Sequence, residues 1–312
     1  MILSELVKLK IELKKYIDLT AFENEAYKVM DNLKALRASV SDATLDQQLT
    51  ELLGTIQSQT YLAIKMANSK YHLVNEIIYQ QMIEQSKQYF VKGYRVFQTD
   101  IEDDRNNRKL PLSLELTEIL IGRIRLYTDW HYPGMEIGPH DGEFTEHLVA
   151  CDPLYLVDTK YEYLESTSSK FAPEYQVRLR PYHINDDKRL SELPSNQFGI
   201  IFSWNYFNYF QLDDIKTYLS EAFRILRPGG VFMFSYNDGD MYNGARHVEW
   251  GGMTYVPKSL LAPMIESLGF EIAASYGFDT DWHNISWVEV RKPGTLETIR
   301  AHQTLGIVKD IE

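Results

Sequence analysis

Apolar side chains in the first hundred residues recur in alternating steps of four and three, the spacing of a helical seam. The pattern includes Ile2, Leu6, Leu9, Leu13 and Tyr16, then Leu45, Leu49, Leu52 and Ile56. Ser41 and Asp42 provide a helix-capping signal between these two runs. The spacing predicts two long helices that form a hairpin.

After residue 130 the pattern changes to short apolar runs that alternate with amphipathic stretches. The runs predict strands at 132–137, 154–158, 198–204 and 231–236, one more within 175–182, and two at 270–278 and 285–292. The intervening stretches predict helices at 142–150, 213–226 and 257–269. Such alternation is typical of a mostly parallel sheet with helices on both faces. The last two strands lack room for a crossover helix, so we expect them to pair antiparallel.

Proline and glycine usage marks a domain boundary between these two patterns. All eleven prolines lie at or after Pro111, and only Gly54 and Gly93 of the seventeen glycines precede it. We therefore place the boundary near residues 105–115. This gives a helical, coiled-coil-like domain over 1–110, an α/β domain over 111–300 and a C-terminal tail over 301–312.

The charge and cysteine content restrict the possible partners and setting. The net charge is −12, whereas a face that follows nucleic-acid phosphates normally carries a basic excess, so we expect no nucleic-acid partner. No apolar run approaches the ~18 residues of a membrane helix, and the first residues lack signal-peptide features. The only cysteine is Cys151, so no internal disulfide is possible. We expect a cytoplasmic protein without a membrane partner.

Residues 136–142, Glu-Ile-Gly-Pro-His-Asp-Gly, follow a predicted strand. Glycines at this point let a ligand approach the backbone closely. A dinucleotide fingerprint would require glycine at 138, 140 and 143, but His140 and Glu143 occupy two of these positions. The Gly-Lys-Ser/Thr sequence of a phosphate-binding loop is also missing. The pattern that remains is E-x-G-x-x-x-G.

This stretch resembles motif I of the class I S-adenosylmethionine-dependent methyltransferases, which usually reads E/D-x-G-x-G-x-G. Three further features follow in the order typical of that family: an acid, Asp158, that ends the second strand, the segment 184–207, and the segment 221–235 with its Arg-Pro-Gly-Gly turn. The resemblance covers about residues 120–293. It implies a doubly wound, seven-stranded, mostly parallel sheet and S-adenosylmethionine as the cofactor.

The resemblance also implies which residues contact the cofactor. They are Glu136, Gly138, Pro139, His140 and Gly142 in the loop, and Asp158, Thr159, Asp186 and Ser203 near the ends of later strands. Asp158 would accept hydrogen bonds from the ribose hydroxyls, although a helix N-cap is an alternative at this point, above all for Thr159. Asp186, or its neighbour Asp187, would lie near the adenine amino group. His140 would either point to solvent or touch a ligand.

Methyl transfer from a sulfonium needs alignment of the reactants more than it needs a catalytic group. A base is required only if the acceptor must lose a proton early, and His183, Asp240 and His247 are the candidates. Five other side chains could shape an acceptor pocket: Trp204, Tyr206, Tyr209, Asn237 and Trp250. No carboxylate cluster ends the fourth strand, so we expect no metal. By analogy with similar sequences, we expect a small-molecule or sugar hydroxyl as acceptor.

Two functional hypotheses follow. The first is a methyltransferase whose N-terminal helices form an oligomerisation or docking domain and make the chain a homo-oligomer. The second is a structural or scaffolding protein that carries a methyltransferase-like domain without catalytic activity. The helices would pair with another chain or pack on their own catalytic domain, and the sequence supports both arrangements equally.

Overall fold

The computed structural model describes residues 2–16, 20–99, 112–184 and 190–296. The chain divides into two compact units, Met1–Lys87 and Gln88–Glu312. Most of the predicted boundary region at 105–115 and all of the predicted tail at 301–312 lie outside the described residues.

The described residues up to 99 form the helices α1 (Ile2–Tyr16), α2 (Thr20–Ala38) and α3 (Ala43–Thr99), of which α3 is 57 residues long. Asp42 caps α3, because its carboxylate Oδ1 accepts hydrogen bonds from the backbone N–H groups of Thr44 and Leu45. Arg37 and Asp46 form an exposed ion pair of 2.7 Å across the α2–α3 turn. The capping signal read from Ser41 and Asp42 therefore marks the start of a helix.

Apolar side chains line two neighbouring stripes of α3. Leu49, Thr60, Ile78 and Met82 are buried, and their spacing places them on one face of the helix. Leu45, Leu52, Met66 and Leu73 are separated by multiples of seven residues and are exposed. The second stripe therefore leaves apolar surface of the helix open to solvent.

The second part of the chain contains a seven-stranded sheet in the order β3-β2-β1-β4-β5-β7-β6. The strands are β1 (Gly134–Ile137), β2 (Leu154–Asp158), β3 (Leu179–His183), β4 (Phe198–Ser203), β5 (Leu226–Tyr236), β6 (Glu271–Asp279) and β7 (Asn284–Arg291). The first five pair in parallel, and β7 is antiparallel to both of its neighbours. The sheet confirms the predicted fold class, including the antiparallel closing strands.

Helices flank this sheet: α4 (Leu114–Tyr127), α5 (Tyr161–Ser169), α6 (Pro173–Gln176), α7 (Leu212–Ile225), α8 (Tyr242–Glu249) and α9 (Lys258–Ser267). Successive side chains of β4 enter different clusters, Ile201 on one face and Ile200 and Phe202 on the other. All six residues of β4 are buried, as expected for a central parallel strand covered on both faces.

A partly buried ion pair joins α4 to the sheet. Glu289 of β7 is fully buried, and its Oε1 accepts a 2.8 Å hydrogen bond from Nε of Arg123. The hydroxyl of Tyr127 donates to the other carboxylate oxygen over 2.7 Å. Burial, and then the hydrogen bond to Glu289, raise the pKa of Tyr127 to about 12. The buried carboxylate therefore has partners on two successive turns of α4.

The prediction of a helix at 142–150 was wrong. That segment contains only a short 3₁₀ helix, Thr145–His147, between turns. Phe144, Thr145 and Leu148 are all buried, and the Thr145 hydroxyl is bonded to Glu136 of β1. These contacts hold the short connection against the sheet. In a regular helix, some of the same side chains would point away from the sheet. Helices α4 and α8 were not predicted.

Candidate functional site

The loop after β1 keeps a left-handed backbone at three alternate positions. The φ angles are +70° at Gly138, +51° at His140 and +77° at Gly142. Glycine adopts this conformation readily, whereas a side chain at the same φ is strained. The N–H of Gly138 donates to Val157 of β2 over 2.8 Å, and that of Gly142 donates to Pro139 over 2.7 Å. The loop therefore has the backbone shape of a three-glycine motif, with His140 at the middle position.

Side chains of the protein occupy the space beside the two glycines. A Cβ atom at Gly138 would lie 2.4 Å from the ring of Tyr206, and one at Gly142 would lie 2.9 Å from the methyl group of Thr167. The hydroxyl of Thr167 also donates to the carbonyl of His140 over 3.1 Å. Both glycines thus permit close packing within the protein, and neither Tyr206 nor Thr167 was predicted to hold the loop.

His140 is half-buried, and its ring faces Tyr163 of α5 edge-on, with 6.5 Å between ring centroids. The ring is thus turned toward α5, an orientation that was not considered from the sequence. Pro139 is buried beside it and contributes only its carbonyl to the turn.

Glu136 lies in β1 below the loop and is 3 % exposed. The hydroxyl of Thr145 donates to its Oε2 over 2.5 Å. Burial raises the pKa of Glu136 to about 7, and the hydrogen bond from Thr145 opposes that shift. The carboxyl group therefore titrates near neutral pH, which the sequence did not indicate.

Asp158 is the last residue of β2 and is 2 % exposed. Its Oδ1 accepts a 2.9 Å hydrogen bond from the backbone N–H of Lys160, just before α5. Thr159 is exposed, and its carbonyl contacts Nε2 of His183 at 2.9 Å. Asp158 thus bonds the N–H of Lys160, which is itself the N-cap residue of α5 and provides no side-chain cap, so the helix-capping role considered from the sequence is not seen. The carboxylate of Asp158 lies at the carboxyl end of a parallel strand.

Polar side chains connect the carboxyl ends of β4 and β5. Ser203 is fully buried, and its hydroxyl donates to the carbonyl of Ile137 over 2.8 Å. The Ser235 hydroxyl accepts a 2.6 Å bond from Asn205 N–H and donates to Asn208 over 2.9 Å. These hydrogen bonds hold the carboxyl ends of β4 and β5 in place, and the Ser203 hydroxyl is bonded to the backbone of β1.

The residues considered as bases have different surroundings. His183 is exposed on the outer strand β3. Asp240 accepts a 2.8 Å bond from Ser259 N–H in the first turn of α9, so it has a capping role. His247 of α8 stacks on His283 with 5.2 Å between ring centroids, and burial lowers its pKa to about 4. His247 is therefore neutral at pH 7, and the structure does not bring the three residues together.

The side chains proposed for an acceptor pocket separate into buried and exposed groups. Trp204 packs against Phe144 and Trp287 in the core, Tyr206 covers Gly138, and Asn237 is fully buried. Trp250 is 54 % exposed. Tyr209 is half-buried and packs against the core. Asp186 and Asp187 lie outside the described residues.

The hydrogen-bond acceptors at this edge of the sheet suit the ribose hydroxyls of S-adenosylmethionine. Asp158 offers a carboxylate at the strand end, the position where ligands of parallel α/β sheets lie. The loop with the alternating left-handed backbone follows β1, the strand that pairs with β2. In the part of the chain that the structure describes, no three His, Cys, Asp or Glu side chains are grouped to hold a metal ion.

Comparison with known proteins agrees with this geometry. A family model described as a methyltransferase domain matches residues 135–234. The α/β unit carries a methyltransferase domain. The match confirms the predicted family resemblance and the cofactor that it implies, S-adenosylmethionine. The matched segment begins in β1 and ends in β5, so it contains the loop, Asp158 and the central strands. No curated protein matches the chain.

Solved structures with a similar course of the chain include methyltransferases. The N-methyltransferase NodS from Bradyrhizobium japonicum WM9, in complex with S-adenosyl-L-homocysteine, has 15 % identity and a TM-score of 0.48, and the match covers 65 % of this chain and 99 % of NodS. An S-adenosylmethionine-dependent methyltransferase from Mesorhizobium loti has 15 % identity and a TM-score of 0.43, with 55 % and 96 % covered. Among the described helices of this chain, none is long and apolar enough to cross a membrane.

Proposed function

We propose that the chain is an S-adenosylmethionine-dependent methyltransferase that acts on a small-molecule or sugar hydroxyl. The observation that carries this proposal is the combination of the left-handed positions 138, 140 and 142 with a buried carboxylate, Asp158, at the end of the adjacent strand. A non-glycine residue in the left-handed region, here His140, is typical of active sites and ligand-binding loops.

The cofactor supplies an activated methyl group, and the side chains of the protein bind and orient the reactants. Asp158 would accept hydrogen bonds from the ribose hydroxyls, and the backbone at 138–142 would help to hold the cofactor. Glu136 stabilises the loop from below through Thr145. The buried hydrogen bond between Ser235 and Asn208 keeps the surface below the acceptor rigid. A rigid surface favours in-line alignment of the acceptor with the methyl group and excludes water.

The proposal is tested by calorimetric titration of the full chain with S-adenosylmethionine. We expect a Kd in the micromolar range, about −8 kcal/mol. Asp158→Ala should weaken binding by at least about tenfold, because it removes an acceptor that charge strengthens. Glu162→Gln, which removes a neighbouring exposed charge on α5, should leave the Kd unchanged.

Asp158→Asn separates cofactor binding from the local turn, because its amide oxygen can still accept the bond from Lys160 N–H. We expect this variant to fold as the parent does and to bind S-adenosylmethionine more weakly. Parent-like affinity in both Asp158 variants would contradict the placement of the cofactor.

A scaffold without catalytic activity is the second candidate function. It is favoured by Tyr206 and Thr167, which already fill the space beside Gly138 and Gly142, and by the loss of the helix expected after the loop. The same titration distinguishes the two functions, because a scaffold would show no binding of S-adenosylmethionine by the correctly folded chain.

We also propose that the N-terminal helices make the chain a homo-oligomer. The exposed stripe on α3, formed by Leu45, Leu52, Met66 and Leu73, supports this role. Such a stripe suits pairing with another helix, because apolar side chains at heptad spacing remain on one side along the helix. A cytoplasmic setting and the absence of a nucleic-acid partner remain part of the proposal.

A further inference from the structure

Helix α8 and the loop between β6 and β7 lie at the same edge of the sheet as the proposed cofactor site. Strands β5 and β6 are each antiparallel to β7, so they run in the same direction. Their carboxyl ends, at Tyr236 and Asp279, therefore lie at the edge where β1, β2 and β4 also end. Asn243 of α8 is bonded to this loop through its Nδ2, which donates to the carbonyl of Thr280 over 2.6 Å.

Arg246 of α8 is held among three aromatic rings at this edge. The centre of its guanidinium lies 4.4 Å from the ring of Trp250 and 5.6 Å from the rings of Tyr242 and Trp282. Its Nη1 donates to Asn243 over 3.1 Å. Ring stacking of this kind fixes the plane of a guanidinium and restricts its motion.

Arg246 has no carboxylate partner among the residues that the structure describes. Asp279, at the end of β6, accepts hydrogen bonds from Asn243 N–H and Asn284 instead. In a chain with a net charge of −12, carboxylates are abundant. A half-buried, immobilised arginine without one is therefore available to an anion from outside.

Two neighbouring features suit a ligand that combines an anion with a ring. Trp250 is 54 % and Trp282 is 64 % exposed, so both offer aromatic surface to solvent next to the guanidinium. The adjacent His247 and His283 are stacked, and burial lowers the pKa of both, so both rings are neutral at pH 7 and Arg246 supplies the positive charge here. Nε2 of His247 is buried without a hydrogen-bond partner in the described structure.

We propose that Arg246, Trp250 and Trp282 form an anchoring subsite for the methyl acceptor, which carries an oxyanion, a carboxylate or a phosphate, beside a ring. Arg246 binds the oxyanion in a bidentate manner, and the two tryptophans contact the ring. The assignment of this ligand as the acceptor rests on the proposed methyltransferase function. The subsite itself is defined by the arginine and the rings alone.

The subsite is tested on the full chain by following tryptophan emission during titration with phenyl phosphate, benzoate and neutral benzyl alcohol. For ligands of this size we expect a Kd on the order of a millimolar for at least one anion, and clearly weaker binding of the alcohol. Phenyl phosphate and benzoate differ in the anion, so the tighter of the two identifies the group that the acceptor carries. Equal affinity for the alcohol and both anions would overturn the proposal.

Arg246→Gln should weaken anion binding by about tenfold or more, as expected for loss of a charge-assisted bidentate contact. Arg180→Gln is the matched control, because Arg180 is an exposed arginine on β3 at the opposite side of the sheet. Unchanged anion affinity in Arg246→Gln would overturn the proposal. Trp282→Ala provides a second test that keeps the charge: it should weaken phenyl phosphate binding and leave binding of inorganic phosphate unchanged, and no effect on phenyl phosphate would contradict the role of the ring.

Binding of S-adenosylmethionine to Arg246→Gln separates this inference from the proposed function. We expect the variant to bind the cofactor as the parent does, because Arg246 belongs to the acceptor side. Anion binding that persists in a chain that does not bind S-adenosylmethionine would refute the methyltransferase assignment and retain the subsite. Cofactor binding without any anion binding would refute the subsite and retain the assignment.

Discussion

Thr145 donates its hydroxyl to the buried carboxylate of Glu136 over 2.5 Å, and this hydrogen bond joins the irregular connection after the loop to strand β1. Burial raises the pKa of Glu136 from 4.5 to about 7, while the Thr145 hydroxyl favours the charged form. The proton taken up by Glu136 on folding is therefore linked to the stability of the domain that holds the loop.

The first prediction concerns this linkage. Because the folded-state pKa of Glu136 is raised, its contribution to stability is fully present below about pH 4.5 and is lost as the pH rises through about 7. Relative to Glu136→Gln, the free energy of unfolding of the parent should fall by roughly 3 kcal/mol between these pH values. Above that range the difference between the two proteins should stay constant. Urea unfolding of both proteins at several pH values measures the difference.

Thr145→Val tests whether the Thr145 hydroxyl influences the pKa of Glu136. It removes the hydroxyl that stabilises the carboxylate, so the loss of stability should move to higher pH. A pH-independent difference between the parent and Glu136→Gln would show that Glu136 does not titrate in this range.

The second prediction concerns the left-handed backbone at His140. A residue with a Cβ atom costs about 1 kcal/mol or more in this conformation, and glycine avoids that cost. His140→Gly should therefore be more stable than His140→Ala by about 1 kcal/mol, since both variants lack the ring that contacts Tyr163. Thermal unfolding of the two variants gives the comparison.

Binding of S-adenosylmethionine to His140→Gly gives a second measurement. We expect an affinity at or above that of the parent, because the turn is retained. Complete loss of binding in this variant would identify the His140 ring as a ligand contact.

The sequence predicted the central strands of the sheet well, because they are buried on both faces. The six residues of β4, for example, are all buried and gave a continuous apolar run. It did not predict the connection at 142–150, because the bond between Thr145 and Glu136 depends on the fold and leaves no periodic signal. Likewise, Gly138 suggested a close contact, but the sequence could not show that Tyr206 makes it. The same holds for Arg246, whose aromatic neighbours come from α8 and from a loop distant in sequence.

The third prediction follows from the contact between Gly142 and Thr167. Gly142→Ala places a methyl group 2.9 Å from the Thr167 methyl and imposes a strained φ of +77°. The variant should lose about 1–3 kcal/mol of stability. A side chain added at position 142 points toward Thr167, so the substitution first affects packing within the protein.

Thr167→Ser separates the two causes in a double-mutant cycle. Serine keeps the hydroxyl that donates to His140 and removes the methyl group that the new side chain of Gly142→Ala would meet. The double variant should recover the part of the loss that comes from the contact, and the part that comes from φ should remain. Purely additive effects in urea unfolding would argue against the contact.

The fourth prediction concerns the ion pair between α4 and the sheet. Arg123→Met leaves the buried carboxylate of Glu289 without its cation and should destabilise the domain by about 3–5 kcal/mol. Arg123→Met combined with Glu289→Gln should be more stable than Arg123→Met alone, because the remaining group is neutral. If the single and double variants unfold at the same urea concentration, the ion pair does not control the stability of this contact.

The last prediction concerns the exposed stripe on α3. Burial of these apolar side chains against a second helix would gain roughly 1.5–3 kcal/mol for each large side chain that becomes fully covered, and a charge at the same position would oppose it. Leu52→Glu combined with Leu73→Glu should therefore shift the full chain from an oligomer to a monomer in light scattering. Thr50→Glu combined with Gln57→Glu adds the same charge at exposed polar positions turned away from the stripe and should leave the oligomer intact. The affinity for S-adenosylmethionine should stay the same in both double variants, as it should in residues 111–312 alone, because the proposed site lies within the second unit. A monomeric parent chain, together with cofactor affinity that is lost when the helices are removed, would contradict the oligomerisation role and indicate that the helices cover the cleft.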